Sequence, residues 1–150
     1  MNHDQPRFTD FLSAVLSQAL DMDALRQSLL TSFSLDTATG AQLDILGRLT
    51  GTSRILPFEP TSVDRTLSDT DFRLLIRATI LRSHWTGLTS AYPAIVSALF
   101  PDDTITVSDN MDLSVTITAP STLPAAVKEM LSHGLLIPVP PGVSLTCTFV

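Results

Sequence analysis

The chain has 150 residues, and 15 acidic residues against 9 Lys and Arg residues give it a formal net charge of -6. Only 16% of the residues are charged and 44% are hydrophobic, a composition that excludes an intrinsically disordered chain. It also argues against a nucleic-acid-binding protein, because neutralising phosphates requires clustered Lys and Arg residues. A chain with so little charge and no long apolar run is expected to cover part of its surface with partner proteins.

Cys147 is the single cysteine, which rules out an internal disulfide and a cysteine-based zinc site. The first residues lack the basic and apolar regions of a signal peptide. No stretch approaches the roughly 18 consecutive apolar residues that span a bilayer. We therefore expect a protein that stays in a reducing compartment until it is used and that has no membrane partner.

Residues 8–20 and 22–33 are predicted to form two amphipathic helices, because their hydrophobic side chains recur at spacings of three and four. Asp21 is the expected N-cap of the second helix. The hydrophobic stripes consist of Phe8, Phe11, Leu12, Val15, Leu16, Ala19 and Leu20 in the first helix and Met22, Leu25, Leu29, Leu30 and Phe33 in the second. We expect residues 1–34 to be a bundle-forming helical region that precedes a globular α+β domain of residues 35–150.

A third helix is predicted over residues 37–49, after Asp36 as its expected N-cap. Gly47 lies inside this helix, where it costs about 1 kcal/mol relative to Ala. The usual compensation for such a glycine is the close approach of another backbone, so we expect tight helix packing there. Gly51 fits the position just past the end of the helix.

Residues 52–67 contain prolines and a polar run, which predict a loop. Ser68 then begins a fourth helix, and Asp71 three positions later completes a variant of the capping box. On this helix Asp69 and Arg73 have the i,i+4 spacing of an ion pair.

After a fifth predicted helix at about 90–99, the hydrophobic period changes from that of a helix to that of a strand. Residues 104–108 and 113–118 alternate apolar residues with Ser and Thr, and the polar turn between them predicts a β-hairpin. A sixth helix at about 123–133 and a third alternating strand at about 143–149 complete a ββαβ unit.

The expected fold is α+β, with N-terminal helices followed by a helix-covered three-stranded sheet. A right-handed crossover through the sixth helix would place the third strand beside the first strand. The predicted sheet is then fully antiparallel with the order 2-1-3. Its apolar face packs under the helices, and its Ser/Thr face is either exposed to water or docked on another chain.

The acidic residues do not form a recognisable cation site, because their spacing differs from that of the twelve-residue calcium loop. The favoured interpretation is that Asp102 and Asp103 follow the end of a helix, and that Asp109 and Asp112 belong to a hairpin turn. Cys147 lies on the apolar face of a predicted strand, where cysteine is usually inert. We therefore predict no metal, no cofactor and no catalytic residue in this chain.

His84 is the one candidate for a catalytic base, and a hydrolase site would combine it with Asp69 or Asp71. The favoured interpretation is that His84 and its neighbour Trp85 end a helix and pack at an interface. The scattered histidines do not form a metal-binding or catalytic motif. We therefore expect a protein that is not an enzyme.

Several segments resemble, in the same order, those of small tail proteins from contractile-tailed phages. Residues 40–54 (GAQLDILGRLTGTSR), with the lead-in 34–39, are similar to a signature of that family. Residues 67–78 resemble its capped helix entry, 109–117 its hairpin and 138–143 its proline connector into the last strand. The resemblance runs from about residue 30 to the end of the chain.

The resemblance implies a subunit of the baseplate wedge, in the group that includes the "tail protein I" type. Such a subunit joins copies of a larger wedge protein in a heterotrimeric unit, where helices from the partners form a core bundle. These units form a ring that surrounds the central hub and carries fibres. The implied partners are the larger wedge protein, neighbouring baseplate subunits and tail fibres, although this chain ends at its last predicted strand with no fibre-binding extension.

Ten residues are predicted to contribute to these interfaces: Phe8, Phe11, Leu12, Val15, Leu16, Leu25, Leu29, Gly47, Arg48 and Trp85. The expected location is the tail baseplate of the virion. The alternative is a small regulatory or ligand-binding α+β domain that forms homo-oligomers through its sheet. Such a domain would be a soluble, defined homo-oligomer by itself, whereas a wedge subunit would gain stability with its partner.

Overall fold

The computed structural model describes residues 6–101 and 105–150. Within them lie five α-helices: α1 (Pro6–Ser32), α2 (Ala41–Leu49), α3 (Asp69–Ser83), α4 (Tyr92–Leu99) and α5 (Ala125–Ser132). Three strands, β1 (Thr106–Asp109), β2 (Ser114–Ala119) and β3 (Ser144–Phe149), follow the first four helices, and a short 3₁₀ helix (Thr89–Ala91) leads into α4. The predicted α+β class is confirmed. Asp102 and Asp103 lie outside the described residues.

The N-terminal region is one continuous helix, so the predicted break at Asp21 was wrong. Pro6 starts α1, and the 26 helical residues after it contain neither Gly nor Pro. A single Asp is tolerated inside a helix, and its capping preference is too weak to interrupt a long run of good helix formers. The predictions of helix over 8–20 and 22–33 were otherwise correct.

The segment between α1 and α2 is held against α3 by two arginines. Arg73 donates from Nε to the carbonyl of Leu35 and from Nη2 to the carbonyl of Ala38, both at 2.7 Å. Arg77 forms an ion pair with the carboxylate of Asp36. The prediction that Asp36 caps the next helix was therefore wrong, because its carboxylate is bound by α3 instead.

Helix α2 starts at Ala41, four residues later than predicted, because Gly40 before it has a positive φ of 52°. A residue in the left-handed region cannot continue a right-handed helix. At the other end, Gly51 has a φ of 74° and follows the capping residue Thr50, as predicted.

Gly47 allows α2 to lie directly on the ring of Phe72 in α3. A Cβ atom at Gly47 would lie 2.3 Å from Cζ of Phe72 and 3.0 Å from the backbone oxygen of Thr52. The close approach that the sequence predicted is therefore present, although the nearest partner is an aromatic ring rather than a backbone.

The sheet has the order β1-β2-β3 and contains a parallel pair, so the predicted order 2-1-3 and the prediction of a fully antiparallel sheet were wrong. Strands β1 and β2 pair antiparallel as a hairpin, whereas β2 and β3 pair parallel from Ser114↔Ser144 to Ala119↔Phe149. The helical crossover returns the chain to the end where β2 began, so β3 must be parallel to β2. It pairs with the six-residue β2 rather than the four-residue β1, which gives a longer ladder and a mixed sheet.

The apolar face of the sheet packs under the helices, as expected. Val115, Ile117 and Ala119 of β2 are buried, and the core continues through α3, α4 and α5. Its most deeply buried large side chains are Phe72, Leu43, Leu56, Ile76, Ile117, Met130, Leu131, Leu136 and Ile137. The opposite face carries rows of hydroxyls, such as Thr106, Thr118 and Thr148 side by side, and no described element covers it.

We predict that Gly47→Ala lowers the free energy of unfolding by about 1–3 kcal/mol, the usual cost of overpacking a core. The added methyl would overlap the buried Phe72 ring, and urea denaturation measures the loss. The control is the double variant Gly47→Ala/Phe72→Leu, in which the smaller side chain frees the space. If the two substitutions cost the sum of their separate effects, the contact between Gly47 and Phe72 is not the cause.

Candidate interaction surfaces

Helix α1 carries an unburied hydrophobic surface, here called the α1 apolar surface. Every described side chain from Arg7 to Thr31 is exposed. The surface consists of Phe8, Phe11, Leu12, Val15, Leu16, Met22, Leu25, Leu29 and Leu30, with exposed fractions between 39% for Leu12 and 73% for Met22. Contiguous apolar patches of this kind on a soluble protein usually mark an interaction site.

The length of α1 makes its exposure energetically significant. With 27 residues the helix is about 40 Å long. Isolated helices in water are only marginally stable, and most helical stability in proteins comes from packing an apolar face. Burying a Leu or Phe side chain contributes about 1.5–3 kcal/mol, so a partner that covers several of these residues would stabilise α1 strongly.

Charged groups on α1 are few, and two of them form an ion pair. Arg26 forms an ion pair with Asp23 at 3.0 Å, and Gln27 also donates to the Asp23 carboxylate. Arg26 and Asp23 are both more than half exposed, so this pair contributes at most about 1 kcal/mol. A contribution of this size does not compensate for the free-energy cost of leaving the surrounding hydrophobic side chains in water.

Arg54 joins the segments that surround the start of α2. Its guanidinium donates to the carboxylates of Asp44 at 2.7 Å and Asp69 at 2.6 Å, and to the carbonyls of Leu67 and Gly40. Its Cζ also lies 4.9 Å from the centre of the Phe72 ring. One side chain thus links α2, the loop after it and the first turn of α3.

The charges in this cluster support each other. Partial burial disfavours the charge of Arg54, but hydrogen bonds and charge interactions with Asp44 and Asp69 outweigh it and raise the pKa of the guanidinium. The N–H of Gly40 and the guanidinium of Arg54 hold the pKa of the Asp69 carboxyl below its ordinary value of 3.8. Asp69 therefore pairs with Arg54, and the predicted ion pair with Arg73 is not formed.

The remaining predicted interface residues lie in different parts of the fold. Gly47 is buried inside the chain and offers no surface of its own, while Arg48 beside it is exposed. Trp85 is half-buried: its ring lies 5.7 Å from that of Tyr92, and its Nε1 donates to the carbonyl of Leu88. The structure brings the α1 residues together on one helix but does not bring Arg48 or Trp85 to them.

The residues of the hydrolase alternative are far apart. Asp69 is the first residue of α3 and His84 caps its C-terminal end, a separation of about 22 Å along the helix. The Nδ1 atom of His84 lies 2.8 Å from the carbonyl oxygen of Ile80 in the preceding turn. The carboxylate of Asp71 accepts a hydrogen bond from the Ser68 hydroxyl, and the N–H of Asp71 donates to the Ser68 side-chain oxygen, as the capping box predicted in part. No catalytic arrangement forms among these residues.

The other potentially reactive side chains that the structure describes do not form a site either. Burial raises the pKa of the half-buried Cys147 thiol, which lowers the fraction present as thiolate. In residues 6–101 and 105–150 no three His, Cys, Asp or Glu side chains come together as a metal site. None of the helices in that part of the chain is long and apolar enough to cross a membrane.

A family model described as bacteriophage baseplate wedge 1 protein matches residues 2–64 and 56–147 of this chain. The chain belongs to this family. The match spans nearly the whole length, which confirms the resemblance that the sequence motifs indicated. No curated protein matches the chain.

Membership of this family places the chain among the structural proteins of the phage tail baseplate, which associate with other baseplate subunits in the virion. The structure also explains the signature 40–54 physically. Gly40 precedes α2, Gly51 follows it, and Gly47 leaves space for the Phe72 ring. Asp44 and Arg54 of the same signature form an ion pair. The signature therefore encodes internal packing of the wedge protein, whereas the exposed helix α1 precedes it.

We predict that Arg54→Met lowers the free energy of unfolding of the wedge protein by about 2 kcal/mol, because hydrogen bonds to charged groups are lost at a partly buried side chain. Thermal or urea denaturation measures the change. The matched control is Arg26→Met on α1, where an exposed ion pair contributes less than about 1 kcal/mol. Equal effects at the two positions would contradict the role given to Arg54.

We predict a pH-dependent contribution from Asp69. Its pKa is lowered on folding, so the stabilisation is complete above the ordinary value of 3.8 and is lost as the pH falls through the lower folded value. Asp69→Asn keeps an acceptor for Gly40 but not the charge. The difference in unfolding free energy between wild type and variant should be constant near neutral pH and shrink below pH 3.8. A difference that stays constant down to acid pH would contradict this.

Proposed function

We propose that this wedge protein joins copies of a larger baseplate wedge protein in a heteromeric unit, and that α1 supplies its part of a shared helical bundle. Such units would form the ring around the central hub of the tail. In this role the protein is structural rather than enzymatic, and it is made in the host cytoplasm before assembly. The observation that carries the proposal is the exposure of the α1 apolar surface.

The α1 helix and the globular part are proposed to have separate roles. The globular residues 35–150 have their own buried core, and Arg73 and Arg77 fix the start of this region to α3. The core does not use α1, because the described side chains from Arg7 to Thr31 are exposed. Helix α1 would therefore pack against helices of other subunits while the globular part contacts its neighbours in the ring.

A helical partner fits this surface better than a flat one. The exposed hydrophobic residues recur at spacings of three and four along most of the helix, for example Phe8, Phe11, Leu12, Val15 and Leu16. Side chains at this spacing form the continuous stripe that interdigitates with another helix in a bundle. Leu25 and Leu29 extend the stripe into the second half of α1.

Charge reversal on α1 tests this role in the full chain. We predict that Phe11→Glu/Val15→Glu abolishes co-purification with the larger wedge protein of the same phage, because two carboxylates would enter an apolar contact. The matched control is Ser13→Glu/Ser17→Glu, which adds the same charge to a different face of the same helix. Both variants should keep the wild-type unfolding temperature of the isolated protein, since these side chains are exposed.

The comparison between the two variants decides the outcome. Loss of binding in the first variant alone supports the bundle. Undiminished assembly of Phe11→Glu/Val15→Glu would show that the α1 apolar surface is not the contact with the larger wedge protein. Equal loss in both variants would show that added charge, rather than a specific helix face, prevents binding.

A further inference from the structure

Strand β3 is an open edge of the sheet. It pairs with β2 on one side, and no described segment pairs with it on the other side. The N–H groups of Ser144 and Val150 both donate to carbonyls on the β2 side. Because backbone groups alternate in direction along a strand, the N–H and C=O groups of Leu145, Cys147 and Phe149 point away from β2. Within the described part of the chain these outward groups, here called the β3 edge, have no hydrogen-bond partner.

The apolar face of the sheet is incompletely covered beside this edge. In β2 the side chains of Val115, Ile117 and Ala119 are 3% exposed or less. Their neighbours in the ladder are the three residues of the β3 edge, and those side chains are only half-buried. A strand added at the β3 edge would place its own apolar side chains beside them and complete the cover of this face.

The two edges of the sheet differ in how they are protected from pairing. Natural edge strands are usually blocked by charges, by prolines or by being very short. Strand β1 has four residues and ends in Asp109, whereas β3 has six residues, Ser144–Phe149, with neither a charge nor a proline. A long uncharged edge is a template for pairing with another chain, and strand addition of this kind is a common way to bind an extended segment.

We propose that the β3 edge receives an extended segment of another baseplate subunit, which joins the sheet as a fourth strand. The segment would run antiparallel to β3, the more stable arrangement per residue. Its apolar side chains would alternate with uncharged polar side chains, the former completing the face under the helices and the latter lying beside Thr146 and Thr148. Backbone hydrogen bonds would supply the affinity, and the alternation would supply the specificity.

A second copy of this chain is a less suitable donor of that strand. Each copy carries a net charge of -6, and like charges of this size oppose self-association. Strand β3 itself is uncharged, so a donor without that negative charge meets no repulsion along the edge. Other baseplate subunits are available as donors, because proteins of this family associate with them. The proposal rests on the baseplate role only for the source of the strand.

A designed peptide tests the β3 edge in the full chain without any partner subunit. The probe is the peptide KTVTVTVTK with both ends blocked, whose valines match the apolar face and whose threonines match the hydroxyl face. Amide hydrogen exchange of the isotope-labelled protein, followed by NMR, is the measurement. At a peptide concentration of about ten times the dissociation constant, exchange at Leu145, Cys147 and Phe149 should slow about tenfold. The N–H of Val107, on the outer side of β1, should not respond.

Two N-methylated forms of the peptide separate backbone pairing from side-chain contact. In an antiparallel pair, residues that exchange hydrogen bonds lie directly opposite each other, with their side chains on the same face. The valine N–H groups would therefore donate to the β3 edge, and the threonine N–H groups would point away from it. Methylating the three valine nitrogens should weaken binding more than about tenfold, because three hydrogen bonds are lost. Methylating three threonine nitrogens, which leaves the charge and the number of added methyl groups equal, should leave binding nearly unchanged.

A pair of protein variants tests the same edge from the other side. Cys147→Lys directs an ammonium into the apolar gap that the added strand must cover, and it should abolish peptide binding. The matched control is Thr148→Lys, which adds the same charge on the hydroxyl face and should bind the peptide like wild type. Unfolding temperatures establish that both variants are folded. If Cys147→Lys does not fold, the two methylated peptides decide the outcome with the wild-type chain.

Three results would overturn the proposal: no slowing of exchange at the β3 edge, no selective loss of binding on valine methylation, or slowing that grows with protein concentration in the absence of peptide. The last result would identify a second copy of the chain as the occupant. The α1 variant Phe11→Glu/Val15→Glu should bind the peptide like wild type. A failure at the β3 edge is therefore distinguishable from a failure of the proposed bundle.

Discussion

The guanidinium of Arg54 is the interaction on which the arrangement of the globular part depends. It holds the carboxylates of Asp44 and Asp69 together, so the start of α2 and the first turn of α3 meet at one point. Phe72 lies under this guanidinium and fills the space left by the missing side chain of Gly47. Both contacts require a short distance between the two helices, and each stabilises the geometry that the other needs.

The contacts of Arg54 and Phe72 are made within the globular part, and α1 lies outside its core. The arginines of α3 bind the segment that follows α1, so the helix is anchored at its C-terminal end, while its apolar side chains remain exposed. A baseplate subunit has a use for such an arrangement, because a folded body and a separate helix can engage different partners. The low charge of the chain agrees with this, since hydrophobic and hydroxyl-bearing surfaces cost less to desolvate in an assembly than charged surfaces do.

The candidate site could be predicted only where it depends on local spacing. The stripe from Phe8 to Leu29 follows from helical periodicity, and its side chains are exposed in the structure. Gly47 shows the limit of that reasoning, because the sequence indicated a close contact but not that its partner lies within the chain.

The sequence by itself determined the α+β class, the positions of most helices and strands, and the wedge family, because these depend on local periodicity, caps and ordered motifs. The tertiary structure decided the partners of those elements. Asp69 pairs with Arg54 rather than Arg73, since the guanidinium of Arg73 donates to the carbonyls of Leu35 and Ala38 instead. Strand β3 pairs with β2 rather than β1, because the longer strand offers more hydrogen bonds. Such choices depend on free-energy differences between distant segments, which local patterns do not contain.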